Sequence, residues 1–142
     1  MKRMIDHHAA GPPRRVITFG TFDVLHLGHL RLLERASKLG DTLIVGVSTD
    51  ALNYSKKQRY PIYSEHARAT LIASMRYVDE VFLEESLERK REYIVQHAAN
   101  VLVMGDDWKG RFDFCQDLCE VVYLERTPSI STTEIIEVIR QG

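Results

Sequence analysis

Residues 16–33 read VITFGTFDVLHLGHLRLL, and this stretch decides the fold. Its first part is apolar and β-branched (Val16, Ile17, Phe19), which predicts a strand near residues 16–19. Its last part spaces Leu30, Leu33 and Ala36 at helical intervals, with Leu32 and Leu39 beside them, which predicts a helix near residues 28–39. Between the two lie Gly20-Thr21-Phe22-Asp23 and then His26, Gly28 and His29. A strand that turns directly into a helix presents unpaired backbone N–H groups, and those attract anions. A glycine there lets a ligand come close to the chain. Two imidazoles at the same turn add donors. A short H-x-G-H string also occurs in ordinary scaffold, so the upstream GTFD and the strand–helix setting carry the weight.

Outward from this stretch the pattern alternates. Residues 42–47 (TLIVGV) form a short buried-strand run, closed by Ser48-Thr49-Asp50. A polar segment, 53–59, then reads as a charged loop with Lys56, Lys57 and Arg59. Ser64 is placed to cap a helix whose core face uses Ala67, Leu71, Ile72 and Met75. Strands are expected at 78–83, 101–104 and 121–124. A charged amphipathic helix at 84–98 carries Leu87, Ile94 and Ala98. A last helix at 131–140 carries Ile135, Ile136 and Ile139, with Ser131 and Glu134 spaced as a capping box. Alternating strands and helices imply a parallel sheet covered on both faces, with ligands at the carboxyl ends of the strands. The loops at 20–29, 48–59, 105–108 and 126–133 all fall at such ends.

The 142 residues fit one domain, expected over 14–142 behind a flexible 1–13 lead-in that contains Gly11-Pro12-Pro13. With 19 basic and 20 acidic residues the net charge is −1, so no global basic field serves nucleic acid. No apolar run approaches the roughly 20 residues of a membrane span, and the lead-in lacks a secretory h-region. Cys115 and Cys119 are four apart, which matches neither zinc spacing nor a C-x-x-C redox motif. They read as reduced thiols of a cytoplasmic protein. His7 and His8 read as part of the tail rather than as metal ligands.

The Gly20-to-His29 stretch resembles the nucleotidyltransferase superfamily that shares an HxGH motif and is related to class I aminoacyl-tRNA synthetases. The resemblance implies that His26 and His29 touch the triphosphate and steady charge as pyrophosphate leaves. Gly20, Thr21 and Phe22 would wall the nucleotide. A second match lies at the other end. Arg126, Thr127, Ile130, Ser131, Thr132 and Thr133 are similar to the RTxGISTT motif of cytidylyltransferases, with departures at Pro128 and Ser129. It implies nucleotide contacts from Arg126, Thr127, Ser131 and Thr132. Taken alone, Ser131 reads first as a helix cap.

The runs GDDW (105–108) and RYVDEV (76–81) are similar to the glycerol-3-phosphate branch of that family. By this resemblance Asp107 reads the cytosine, and Asp23, Asp50, Lys57, Arg76 and Trp108 bind the acceptor. Read from the residues alone, Trp108 is either pocket or core. Two candidates, Lys56 and Lys57, compete for the family lysine, and Lys57 is the choice. Leu87 stands near a tryptophan of the family pattern. The implied protein is a Rossmann-like α/β enzyme of about five parallel strands, working as a homodimer docked near Arg76. It would move CMP from CTP to glycerol 3-phosphate by direct in-line attack, with Mg²⁺ held mainly by nucleotide phosphates and no dedicated protein ligands. Other acceptor phosphates, an adenylyltransferase, and a nucleotide-binding regulator without turnover are the alternatives.

Overall fold

A computed structural model describes residues 12–126 and 131–142. Five strands form one parallel sheet in the order β3-β2-β1-β4-β5. They are β1 (Arg15–Gly20), β2 (Thr42–Ser48), β3 (Glu80–Glu84), β4 (Val101–Gly105) and β5 (Glu120–Leu124). The helices are α1 (Leu27–Ser37), α2 (Asp50–Lys57), α3 (Glu65–Ala73), α4 (Lys90–Gln96) and α5 (Thr132–Gln141). This is the doubly wound, Rossmann-like arrangement that the alternation implied.

The register fixes the geometry. Ile17 lies beside Ile44 on one side and Leu102 on the other, so β1 is the central strand. Its residues Val16, Ile17, Thr18 and Phe19 are all buried. On one face Val16, Val45, Val47 and Val103 pack with Leu33 and Ala36 of α1 and Ile72 of α3. On the other, Ile17, Phe19, Ile44 and Leu102 pack with Tyr93 and Ile94 of α4 and with Phe112 and Cys115. Gly46 has no room for a side chain, since a Cβ there would lie 2.6 Å from the Phe19 ring and 2.7 Å from the Phe82 ring. Crossovers leave β1 and β4 in opposite directions. The crevice above their carboxyl ends is therefore the switch point where such sheets bind ligands.

Four readings of the sequence change. Residues 50–57 are a helix, not a loop: Thr49 caps it by accepting from Leu52 N at 3.1 Å, and only Leu52 and Asn53 are buried. With no apolar stripe, hydrophobic periodicity could not reveal it. The expected helix 84–98 is split. Glu84 ends β3, a 3₁₀ turn follows at Leu87–Arg89, and α4 begins only at Lys90. In α3 the inward residues are Arg68 and Ile72, while Ala67 and Leu71 face out. In α5, Ile139 is exposed and only Ile135 and Ile136 turn inward. Ser64 and Ser131 do cap α3 and α5, accepting from Ala67 N at 3.2 Å and Glu134 N at 3.1 Å. Cys115 is buried and Cys119 half-buried; both are free thiols held in the protonated form by burial. Among the described residues no helix is long and apolar enough to cross a membrane.

Candidate active site

The loop from β1 to α1 is built around its two histidines. His26 is the N-cap of α1, and its Nδ1 accepts from Gly28 N at 3.0 Å. His29 Nδ1 reaches back to accept from His26 N at 3.2 Å. Each imidazole thus does the work that Ser and Glu do in a capping box. The rings stack, with centroids 3.8 Å apart. Because both Nδ1 atoms accept, each neutral ring carries its proton on Nε2, the nitrogen left for a ligand. Burial lowers the pKa of both. For His29 the fall is to about 4, with the neighbouring His26 adding to it and Asp23 opposing it. For His26 the second cause is Arg126. The pair is therefore a fixed set of neutral donors at neutral pH. The loop that holds them is strained: Phe22 (φ 54°) and Val24 (φ 46°) are left-handed without being glycine. Phe22 is buried with its ring edge against His29.

The histidines line a cleft of about 710 Å³ that gathers residues from the carboxyl ends of all five strands. Seven Lys/Arg side chains line it (Arg35, Lys56, Lys57, Arg59, Lys90, Arg126 and Arg140) against four carboxylates (Asp23, Glu84, Asp107 and Glu125). In a chain of net charge −1, this local excess of cations marks a polyanion site. Lys56 is half-buried and Lys57 exposed. Burial pulls the Lys56 ammonium below its ordinary pKa, with Glu84 opposing. The helix that bears them is tied to the histidine loop by Asn53, whose Oδ1 accepts from Thr21 Oγ1 at 2.7 Å.

On the opposite wall, Gly105, Asp107 and Trp108 follow β4, and Leu124, Glu125 and Arg126 end β5. A Cβ on Gly105 would lie 2.7 Å from the Asp107 carboxylate, so glycine lets that carboxylate fold back over the strand end. Trp108 is half-buried, its ring tilted against Phe112 at 5.5 Å, so it serves both as packing and as lining. Arg35 donates to the Glu125 carbonyl at 2.7 Å and anchors the exit of β5. Ser131, Thr132 and Thr133 at the start of α5 also line the cleft. Thr132 Oγ1 donates to the Asp23 carbonyl at 2.8 Å.

The structure thus brings together Gly20, Thr21, Phe22, Asp23, His26, His29, Lys57, Asp107, Trp108, Arg126, Ser131 and Thr132. Thr127, with Pro128 and Ser129, lies outside the described residues. Asp50 and Arg76 lie off the cleft, and Asp23 lines it with its carboxylate already engaged. Asp23 borders the cleft, but its carboxylate accepts from Ile62 N (2.7 Å) and Tyr63 N (2.9 Å) and so pins the 60–63 segment. Asp50 is not among the lining residues: it accepts from Arg68 at 2.7 Å and from Glu65 N at 3.3 Å. Arg76 is exposed beyond the cleft, its guanidinium over the Tyr77 ring.

The sequence reading missed a buried ion pair in this cleft. Lys90 Nζ meets Glu84 Oε2 at 2.5 Å with both side chains 1% exposed, and the ammonium sits 3.7 Å from the Phe19 ring centroid. Burial lowers the Lys90 pKa and the Glu84 carboxylate opposes this. The signal was weak, because the two residues stood within one expected helix. Among the described residues no group of three or more His, Cys, Asp and Glu side chains could hold a metal ion.

Residues 17–138 match the cytidylyltransferase-like family. The chain belongs to that family. It is 53% identical to the glycerol-3-phosphate cytidylyltransferase of Bacillus subtilis (strain 168), over 89% of this chain and 97% of the relative. The protein of the same description from Staphylococcus aureus is 48% identical over 86% of this chain and 92% of its own length. Among solved structures, the lipopolysaccharide core biosynthesis protein of Thermoplasma volcanium superposes with a TM-score of 0.73 at 26% identity, covering 82% of this chain and 99% of that one. The family is one of nucleotidyltransferases, so the HxGH cleft belongs to an enzyme.

Proposed function

We propose that this cytidylyltransferase-like enzyme transfers CMP from CTP to glycerol 3-phosphate, giving CDP-glycerol and pyrophosphate. The observation that carries the proposal is the pair of neutral imidazoles whose Nδ1 atoms are both occupied by backbone N–H groups, set in a cation-rich cleft. Such a site stabilises a triphosphate as charge redistributes and has no nucleophile of its own to form a covalent intermediate. A phosphate oxygen of glycerol 3-phosphate attacks the α-phosphorus of CTP. The new P–O bond forms as the bond to the oxygen bridging the α- and β-phosphorus breaks, and that oxygen leaves with its electron pair on pyrophosphate. The attacking oxygen is already anionic, so no general base is needed.

His26 and His29 donate Nε2–H to the phosphate oxygens, while Arg126 and the lysines of α2 offset the growing charge on pyrophosphate. Of the two lysines, Lys56 takes the inner position because it is the more enclosed. Asp107 accepts from the cytosine amino group, with Ser131 and Thr132 on the nucleotide side; Thr127 is given its nucleotide role by the family resemblance alone. Glu84 and Lys90 border the cleft as a buried ion pair. Mg²⁺ would be supplied with the CTP phosphates rather than held by a dedicated protein site, and it would neutralise part of the triphosphate charge. Asp23 and Asp50 serve the acceptor through the framework rather than by touching it, whereas Arg76 keeps its acceptor role only through the proposed dimer contact.

Leu87, smaller than the tryptophan of the resembling pattern, lines the cleft and favours a second reading with a bulkier polyol phosphate. We assign the enzyme to the cytoplasm, as one domain over 14–142 that pairs as a homodimer. The dimer contact is assigned to α3 and its flanks, where Tyr63 and Leu71 are exposed and the exposed Arg76 follows the helix. Sedimentation showing only monomer at micromolar concentration would remove the dimer. The reaction is tested by Mg²⁺-dependent pyrophosphate release from CTP with glycerol 3-phosphate and a panel of polyol and sugar phosphates. Release only with another acceptor would keep the transfer and overturn glycerol 3-phosphate.

A further inference from the structure

One buried cation takes no part in the chemistry above. Arg68 of α3 is 0% exposed and is not among the residues that line the cleft. Its Nε donates to the Tyr63 carbonyl at 3.0 Å. Its Nη1 donates to the carbonyls of Thr21 at 2.9 Å and Ser48 at 2.8 Å, and its Nη2 to Asp50 Oδ1 at 2.7 Å. A guanidinium stripped of water is costly, and apolar residues of similar volume often stabilise a core equally well. What distinguishes this one is where its four acceptors lie. Thr21 belongs to the histidine loop, Ser48 ends β2, Asp50 opens the lysine-bearing α2, and Tyr63 closes the segment pinned by Asp23.

We propose that Arg68 is a positioning residue that fixes the distance and angle between the HxGH imidazoles and Lys56. The planar fork reaches four carbonyl and carboxylate oxygens at once, which a lysine ammonium cannot. Loss of the fork frees α2 and the 60–63 segment to shift against β1. A misplacement of about 1 Å costs about 100-fold in rate. Among the described residues, Asp107, Arg126 and the start of α5 have no hydrogen bond to Arg68, so the base side of the nucleotide keeps its contacts.

The proposal rests on reading the cleft as a nucleotidyl-transfer site, and the experiment separates the two. Pyrophosphate release and CTP binding by titration are measured for wild type, Arg68→Lys and Arg68→Ala. For Arg68→Lys, kcat is expected to fall about 100-fold and the acceptor KM to rise, with CTP affinity within about 3-fold of wild type. Millimolar guanidinium is expected to restore activity to folded Arg68→Ala, and methylammonium is not. If Arg68→Ala does not fold, Arg68→Lys carries the test together with Asp50→Asn, which is expected to lose rate in the same direction but by less. A folded Arg68→Lys with wild-type kcat, or one whose lost rate is matched by lost CTP affinity, overturns the role of Arg68 and leaves the transfer reading intact. An inactive wild type overturns both.

Discussion

At the residue scale, the two histidines show how local backbone chemistry sets a protonation state. Capping α1 consumes both Nδ1 atoms, and burial keeps the rings neutral, so the Nε2–H donors stand ready without a titration step. Replacing either histidine with alanine is expected to lower kcat by about 100-fold or more, with CTP affinity little changed, because the donors act most on developing charge. Steady-state kinetics beside CTP titration reads this; an equal loss in both would assign the imidazoles to ground-state binding. The same burial has a stability consequence. In the unfolded chain a histidine takes up its proton near pH 6.5, whereas folded His29 holds out until about 4. Through that window the unfolded state binds more protons, so stability is complete above about 6.5 and is lost as pH falls towards 4. The loss is on the order of 1–3 kcal/mol once screening at the cleft mouth is counted. Thermal melts between about pH 7.5 and 5 should therefore show a larger fall for wild type than for His29→Asn. Parallel falls would mean that His29 titrates normally.

At the element scale, α2 is the informative case. Its capping threonine and buried Asn53 make residues 50–57 a helix that turns Lys56 towards the cleft and leaves Lys57 at its rim. Lys56→Ala is thus expected to lower kcat/KM about 100-fold and Lys57→Ala about 10-fold or less, measured as pyrophosphate release. The reverse order would restore Lys57 to the inner position. The sequence carried no such geometry, because a helix with two buried positions has no stripe to read. The same limit explains residues 84–98. The apolar positions Leu87, Ile94 and Ala98 suggested one helix, yet Glu84 pairs with Ser48 of β2 and closes β3, so Lys90 meets it across a turn instead of along a helix face. Strands buried on both sides, such as 42–48 and 101–105, were legible because a continuous apolar run needs no partner to interpret it. The HxGH loop was legible for a different reason: its chemistry is local to the strand–helix turn.

At the scale of the whole molecule, the alternation of elements announced a parallel sheet, but not which strands neighbour one another. That order puts β1 beside β4, and so puts the histidine loop across from Asp107, two segments nearly 80 residues apart in the chain. Because every strand contributes to the cleft, a ligand bound there is linked to the stability of the whole fold. CTP at about 100 times its dissociation constant stabilises by about 2.7 kcal/mol, which raises the melting temperature of a domain of this size by roughly 10 °C. UTP is the sharper comparison. Cytosine offers an amino group where uracil has a carbonyl, and a carboxylate at Asp107 accepts from the first and repels the second. A site that hydrogen-bonds one partner rejects the analogue that leaves its polar group unpaired. At equal concentration UTP should give a much smaller rise than CTP, and Asp107→Asn should narrow the gap, because an amide can donate to the uracil carbonyl. An unchanged gap in Asp107→Asn would place base selection elsewhere on the cleft wall.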